Sequence, residues 1–222
     1  MKNKEKSAEE AIRFIKDGSV IMVGGFMATG TPEILIDALV ARDVKDLTII
    51  CNDGGYLGRG VAKLIANRQV KKLIASHVGL NPEVGQQMRS GELDVVLVPQ
   101  GTLAEQIRAA GAGLGGFLTP TGVGTIVAEG KEILNINGRD YLLETPLKAD
   151  FALVRGSITD QIGNTCYSKS TRNFNPLIAT AAETVIVATE KIVGIGEIDP
   201  ENVVTAGIFV DVIVGGERPW QI

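Results

Sequence analysis

Short runs rich in apolar residues at 20–23, 47–51, 73–76 and 94–98 have the length of strands buried on both faces. Between them the apolar positions change rhythm: Ala11, Ile12 and Ile15, then Ile34, Leu35, Ala38 and Leu39, recur at helical spacing. Polar punctuation separates the two patterns. Ser7-Ala8-Glu9-Glu10 is a capping box, Asp17-Gly18 is a turn, and Thr31-Pro32 and Asn81-Pro82 each put a capping side chain ahead of a proline suited to the first helical position. Residues 61–66 and 102–110 complete the set of helices, so strand and helix alternate through the first half of the chain. That alternation predicts an α/β fold, an open and mainly parallel doubly wound sheet with helices on both faces.

The second half is less regular. Residues 111–125 form a glycine-rich loop too long for a simple connection. Asn137-Gly138 predicts a small hairpin between 133–136 and 141–144. Further strands are expected at 151–154, 184–189 and 208–214, with Asn164 at a turn and Asn175-Pro176 before a helix. No internal repeat stands out.

In sheets of this kind ligands bind outside the carboxyl ends of the strands. The turns after Val23, Cys51, Ser76 and Val98 therefore converge, which makes Gly24-Gly25-Phe26, Asn52-Asp53 and Gln100 candidates for one site. The loop after the first strand, with glycine at 24, 25 and 30, fits two descriptions. It is a tight βα turn, or a place where an anion meets main-chain N–H groups at a helix N-terminus. Its spacing is neither a dinucleotide fingerprint nor a P-loop.

Composition narrows the function classes. A chain of 222 residues with 45% hydrophobic residues and 27 glycines suits one domain, spanning 1–222, with many tight connections. A net charge of −4 gives a nucleic-acid partner no electrostatic support. Lys2, Lys4 and Lys6 precede an amphipathic helix rather than the apolar core of a signal peptide, and no apolar run approaches the ~20 residues a membrane helix needs. A cytoplasmic location without membrane contact is the expectation. Cys51 and Cys166 suit reduced thiols, and His77, the single histidine, suits a hydrogen-bonded position at a strand end. No metal site is expected.

The run from Asp17-Gly18 through Ile21-Met22-Val23-Gly24-Gly25-Phe26 to Gly30 and Pro32 resembles the signature of alpha subunits of the family I coenzyme A transferases. Further stretches match in order: Ile74-Ala75-Ser76-His77, Val98-Pro99-Gln100-Gly101-Thr102, Thr119-Pro120-Thr121-Gly122, Arg172-Asn173-Phe174-Asn175-Pro176 and Gly207-Ile208-Phe209-Val210-Asp211. The resemblance covers essentially the whole chain and is nearest to the bacterial acetate or butyrate:acetoacetate branch. It implies a two-subunit enzyme, expected as α2β2, with acyl-CoA and short-chain carboxylic acids as substrates and no permanently bound cofactor. In that family a glutamate of the beta subunit, in a Ser-Glu-Asn-Gly motif, attacks the thioester. CoA then displaces the resulting anhydride to give an enzyme–CoA thioester. No Ser-Glu-Asn-Gly occurs in this sequence, so the nucleophile is expected on another chain.

By the same resemblance the CoA and substrate loop falls on Gly24, Gly25, Phe26, Met27, Ala28, Thr29 and Gly30, and Gln100 falls at the acyl site as an uncharged donor. Asn52 either touches ligand or braces its turn. Gly115, Gly116 and Phe117 line the pantetheine tunnel or belong to an interface loop. Phe26 is core or a wall of the acyl pocket, the glycines of the loop serve ligand or packing, and Arg172 to Asn175 are structural or interfacial. Two other readings compete: a ligand-sensing domain of related fold, and a self-sufficient transferase using a carboxylate of its own such as Glu144.

Overall fold

The computed structural model describes residues 3–219, so Lys2 lies outside the described residues. In chain order the elements are α1 (Ala8–Ile12), β1 (Val20–Val23), α2 (Glu33–Arg42), β2 (Leu47–Ile50), α3 (Ala62–Ala66), β3 (Val70–Ala75), α4 (Pro82–Ser90), β4 (Asp94–Leu97) and α5 (Gln100–Gly111). There follow β5 (Phe117–Thr119), β6 (Ile133–Ile136), β7 (Arg139–Glu144), β8 (Ala149–Asp160), β9 (Thr165–Cys166), α6 (Asn175–Ile178), β10 (Ala182–Val193) and β11 (Val212–Gly215). The main sheet runs β11-β10-β8-β1-β2-β3-β4 with every neighbour parallel, and β9 adds an antiparallel pair on β8. The expected doubly wound sheet is what forms.

Alternation of side chains along the strands makes two cores. Ile21, Val23, Ile49, Cys51 and Leu73 pack on one face under α1 to α4, whereas Met22, Ile50, Ala152 and Val154 pack on the other under α5 and α6. The chain winds outward from β1 to β4 and returns to build β8, β10 and β11 on the far side of β1. The reversal lies between β1 and β8, the position at which such sheets open a crevice. The expected hairpin also forms: β6 and β7 pair about Asn137-Gly138, and β5 joins them in a separate three-stranded sheet.

Several boundaries differ from the sequence expectation. β8 and β10 are much longer than their apolar cores, pairing from Ala149↔Ala182 to Asp160↔Val193, because each strand supplies the other's main-chain partners beyond the hydrophobic stretch. Residues 208–214 are not one strand. Gly207–Phe209 is a 3-10 turn, with Gly207 N–H on Asn164 Oδ1 at 2.8 Å, and Ile208 stands 87% exposed before β11 begins. The helix after the glycine loop starts at Glu33 with Pro32 in the cap position. Thr31 therefore lies one residue before the cap, its N–H on Ala28 O at 3.2 Å and its carbonyl facing Arg155 Nη1 at 3.4 Å. The capping box at Ser7 and the Asn81 cap form as expected.

Candidate active site

Three adjacent strand ends supply the central polar groups: Asn52 after β2, Ser76 after β3, and Gln100, the first residue of α5, after β4. Ser76 N–H bonds Asn52 O at 3.0 Å, which carries the parallel ladder one step past the strands. Asn52 is 1% exposed and gives Nδ2 to Gly25 O at 2.6 Å. Its Oδ1 accepts from Gln100 Nε2 at 2.5 Å, and Gln100 Oε1 accepts from the Ser76 hydroxyl. A side-chain amide carries two N–H donors, so among the described residues Gln100 keeps one without an acceptor, at an exposed rim.

The glycine loop is fastened from every side. Gly24 N–H bonds Leu153 O at 3.0 Å and Gly25 N–H bonds Asn173 Oδ1 at 3.1 Å. Phe26 and Thr29 exchange both main-chain bonds at 2.9 Å, and Met27 N–H reaches Asp53 Oδ2 at 2.7 Å. Asn173 Nδ2 holds Thr29 O, and Asn175 Nδ2 holds Gly30 O. Met27 and Ala28, at φ 49° and 61°, are a two-residue turn of the type I′ kind built without glycine. Such backbone costs about 1–3 kcal/mol per residue and persists where neighbours over-determine it, as Asp53 does here. Glycine is needed next to that turn for packing. A Cβ on Gly24 would lie 1.8 Å from Asn175 Oδ1, and one on Gly25, itself at φ 119°, would lie 2.2 Å from Thr31 Oγ1.

This fastening limits how many of the loop's N–H groups could meet an anion. Among the described residues, within 24–30, the N–H groups of Ala28 and Gly30 are those left without an internal acceptor. The N-terminus of α2 is also taken, since Ile34 N–H donates to Glu217 Oε2 at 3.1 Å. The chain thus supplies its own carboxylate to the positive end of the helix dipole. Burial raises the Glu217 carboxyl above its ordinary value, against the Ile34 N–H and the Arg155 guanidinium, which favour the charged form.

The same loop geometry occurs again after β2, a likeness that sequence reading missed. Gly54-Gly55-Tyr56 to Gly60 repeats the spacing of Gly24-Gly25-Phe26 to Gly30, and Tyr56 and Arg59 bridge as Phe26 and Thr29 do. The two loops are tied by Asp53, whose Oδ1 accepts Gly55 N–H at 2.9 Å while Oδ2 holds Met27.

A family model described as coenzyme A transferase matches residues 5–216. The chain belongs to that family. It is 54% identical over 214 residues to the acetate CoA-transferase subunit alpha of Escherichia coli K12, covering 96% of this chain and 97% of the relative. It is equally 54% identical over 201 residues to the acetoacetyl-CoA:acetate/butyrate CoA transferase alpha subunit of Clostridium acetobutylicum, covering 90% of this chain and 92% of the relative. The fold is shared with a crystal structure of an acyl-CoA transferase from E. coli O157:H7 in a thioester complex with CoA, at a TM-score of 0.84 and 23% identity, covering 96% of this chain and 47% of that one.

Within this transferase chain the expected site residues divide into two groups. Residues 24–30, Asn52 and Gln100 come together at one edge. Phe26 is 48% exposed there and is not core. Gly115, Gly116 and Phe117 do not join them. They follow the far end of α5, where Gly116 packs on the β7 backbone at Glu144 and Phe117 pairs with Glu144, and among the described residues no hydrogen bond links them to the loop. Glu144 is 1% exposed, with its carboxylate on Lys131 Nζ at 2.6 Å and Gln106 Nε2 at 2.9 Å. Both its oxygens are therefore engaged by the chain's own side chains. Asn173 and Asn175 are structural through the bonds already given.

Cys51 and Cys166 are free thiols, the first buried, with burial and then the Asp53 charge pushing it far up. His77 joins the ladder through its carbonyl, which accepts Gly54 N–H at 3.2 Å, while its ring stays exposed. Among the described residues no group of three metal-ligating side chains assembles, and no helix is long and apolar enough to cross a membrane.

Proposed function

We propose that this chain is the alpha half of a CoA-transferase that moves CoA between a short-chain acyl-CoA, acetyl- or butyryl-CoA, and a carboxylic acid such as acetoacetate. The names of the two bacterial relatives support that substrate class and a beta subunit as partner. The observation that carries the reading is the Asn52–Gln100 amide pair at the carboxyl edge of the sheet. It offers neutral N–H donors at that edge. Asp53, next to it, is 7% exposed and has both oxygens on main-chain N–H groups.

A carboxylate is a poor nucleophile toward a thioester, so the site must stabilise the negative charge that develops on the acyl oxygen. A neutral amide does so without pairing with the attacking carboxylate, as a lysine or arginine would. The beta-subunit carboxylate adds to the thioester carbonyl, and Gln100 donates its remaining Nε2 hydrogen to the oxyanion, with Asn52 holding Gln100. CoA thiolate leaves, then attacks the acyl–enzyme anhydride, releasing the first acid and forming an enzyme–CoA thioester. The second acid reverses these steps. Ala28 N–H, Gly30 N–H and the exposed Phe26 ring flank the acyl-CoA, and residues 115–117 face the subunit interface rather than the pantetheine. The assembly is α2β2.

The test is activity with acetyl-CoA and acetoacetate, for the chain alone and with its beta partner, followed by borohydride trapping and mass spectrometry of the covalent intermediate. Turnover is expected only with the partner, with the label on the partner. In the complex, Gln100→Ala is expected to lower kcat by roughly 10²–10³-fold. Activity of the chain alone with a label on its own glutamate would overturn the reading.

A further inference from the structure

The Gln100 side chain starts on the first residue of α5 and spans the end of β3 to reach Asn52 at the end of β2. Beneath that span is Ser76. Its N–H already serves Asn52 O at 3.0 Å, and its hydroxyl lies 2.9 Å from the same carbonyl and within bonding distance of Gln100 Oε1. A hydroxyl has one hydrogen to give; Asn52 O already accepts the Ser76 N–H, whereas the Ser76 hydroxyl is the donor that the structure places at Gln100 Oε1, so that hydrogen is assigned to Gln100.

The sense of the whole chain of amides follows from its two ends. Gly25 O can only accept, so Asn52 must face it with Nδ2, which turns Asn52 Oδ1 toward Gln100. Gln100 must then present Nε2, leaving Oε1 for Ser76. With one bond the exposed Gln100 amide would pivot about Asn52. With two, its plane and its free N–H have one direction. We infer that Ser76 is a positioning residue for acyl transfer: its hydroxyl is the second anchor that aims the free Gln100 N–H at the acyl oxygen. This rests on the reading of Gln100 as the oxyanion donor.

The test is a double-mutant cycle in the assembled complex with its beta partner, using acetyl-CoA and acetoacetate, with complex assembly and thermal denaturation measured on every variant. Losing one anchoring hydrogen bond, Ser76→Ala is expected to lower kcat about 3- to 10-fold with little change in KM. Ser76→Thr, which keeps the hydroxyl, is expected to restore it. In a Gln100→Ala background, Ser76→Ala is expected to cost nothing further. An equal loss in both backgrounds, no loss at all, or a threonine variant as slow as the alanine one would overturn the role of Ser76 while leaving Gln100 in place. Full turnover of Gln100→Ala alone would overturn the oxyanion reading itself and the positioning role with it.

Discussion

Gln100 Nε2 and Asn52 Oδ1 lie 2.5 Å apart, joining residues 48 positions apart in sequence. Asn52 is in turn fixed by Gly25 O, so the amide at the rim and the glycine loop share one buried support. Asn52→Asp would replace the Nδ2 donor with an oxygen facing that carbonyl. The expected result is a loss of about 1–3 kcal/mol in urea unfolding, together with a fall in kcat of the complex. Unchanged stability would remove Asn52 as the support.

Two glycines separate packing from contact with ligand. Gly24→Ala forces a Cβ to within 1.8 Å of Asn175 Oδ1, and Asn175 cannot retreat because it holds Arg155 N–H, Gly30 O and Thr171 O, each at 2.8 Å. A loss of at least about 1–3 kcal/mol is expected in denaturant unfolding. Gly115→Ala meets nothing within 4 Å, so its stability is expected to stay within about 0.5 kcal/mol of the parent. With the fold intact, the KM for acetyl-CoA of Gly115→Ala in the complex is expected to be unchanged. A raised KM would return residues 115–117 to the CoA site.

Glu144→Ala leaves Lys131 and Gln106 without their acceptor. Lys131 retains access to water, so the loss is expected at about 1–3 kcal/mol, below that for breaking a fully buried pair. Turnover per folded complex is expected to be unchanged, as measured by active-site titration alongside thermal melting. A loss of turnover without a loss of stability would restore Glu144 as a reacting group.

The raised Glu217 carboxyl carries a sign. Folding binds a proton more tightly there than the unfolded chain does, so stability associated with the group is greatest at low pH and falls as pH rises from about 4.5 through the raised value. Thermal denaturation from about pH 4 to about pH 8 is expected to show the parent losing stability relative to Glu217→Gln as pH increases. Parallel profiles for the two would mean that Glu217 titrates alike folded and unfolded.

Much of this was legible from residue pattern. The four strands of the first half, the capping box at Ser7, the Asn81 cap and the Asn137-Gly138 hairpin are local arrangements whose signals lie within a few residues. Convergence of the loop after β1, Asn52 and Gln100 followed from the rule for parallel sheets. Thr31 misled because the Thr-Pro signature puts the cap at Thr31, whereas the helix begins one residue later, at Glu33, with Pro32 in the cap position. The full lengths of β8 and β10 were hidden because their ends are set by pairing with each other rather than by apolar content.

By itself the sequence determined an alternating α/β chain, the edge at which its strand ends meet, and the likeness to a transferase family, with no Ser-Glu-Asn-Gly motif in the sequence. Hydrophobic burial is non-directional and scales with area, so its pattern survives in a linear string. Only the tertiary structure decided that the glycine loop keeps most of its N–H groups for itself, that Glu217 occupies the helix end offered to an anion, and that Ser76 stands under Gln100. Each of those is a hydrogen bond between remote residues, which depends on tenths of an ångström and on angle.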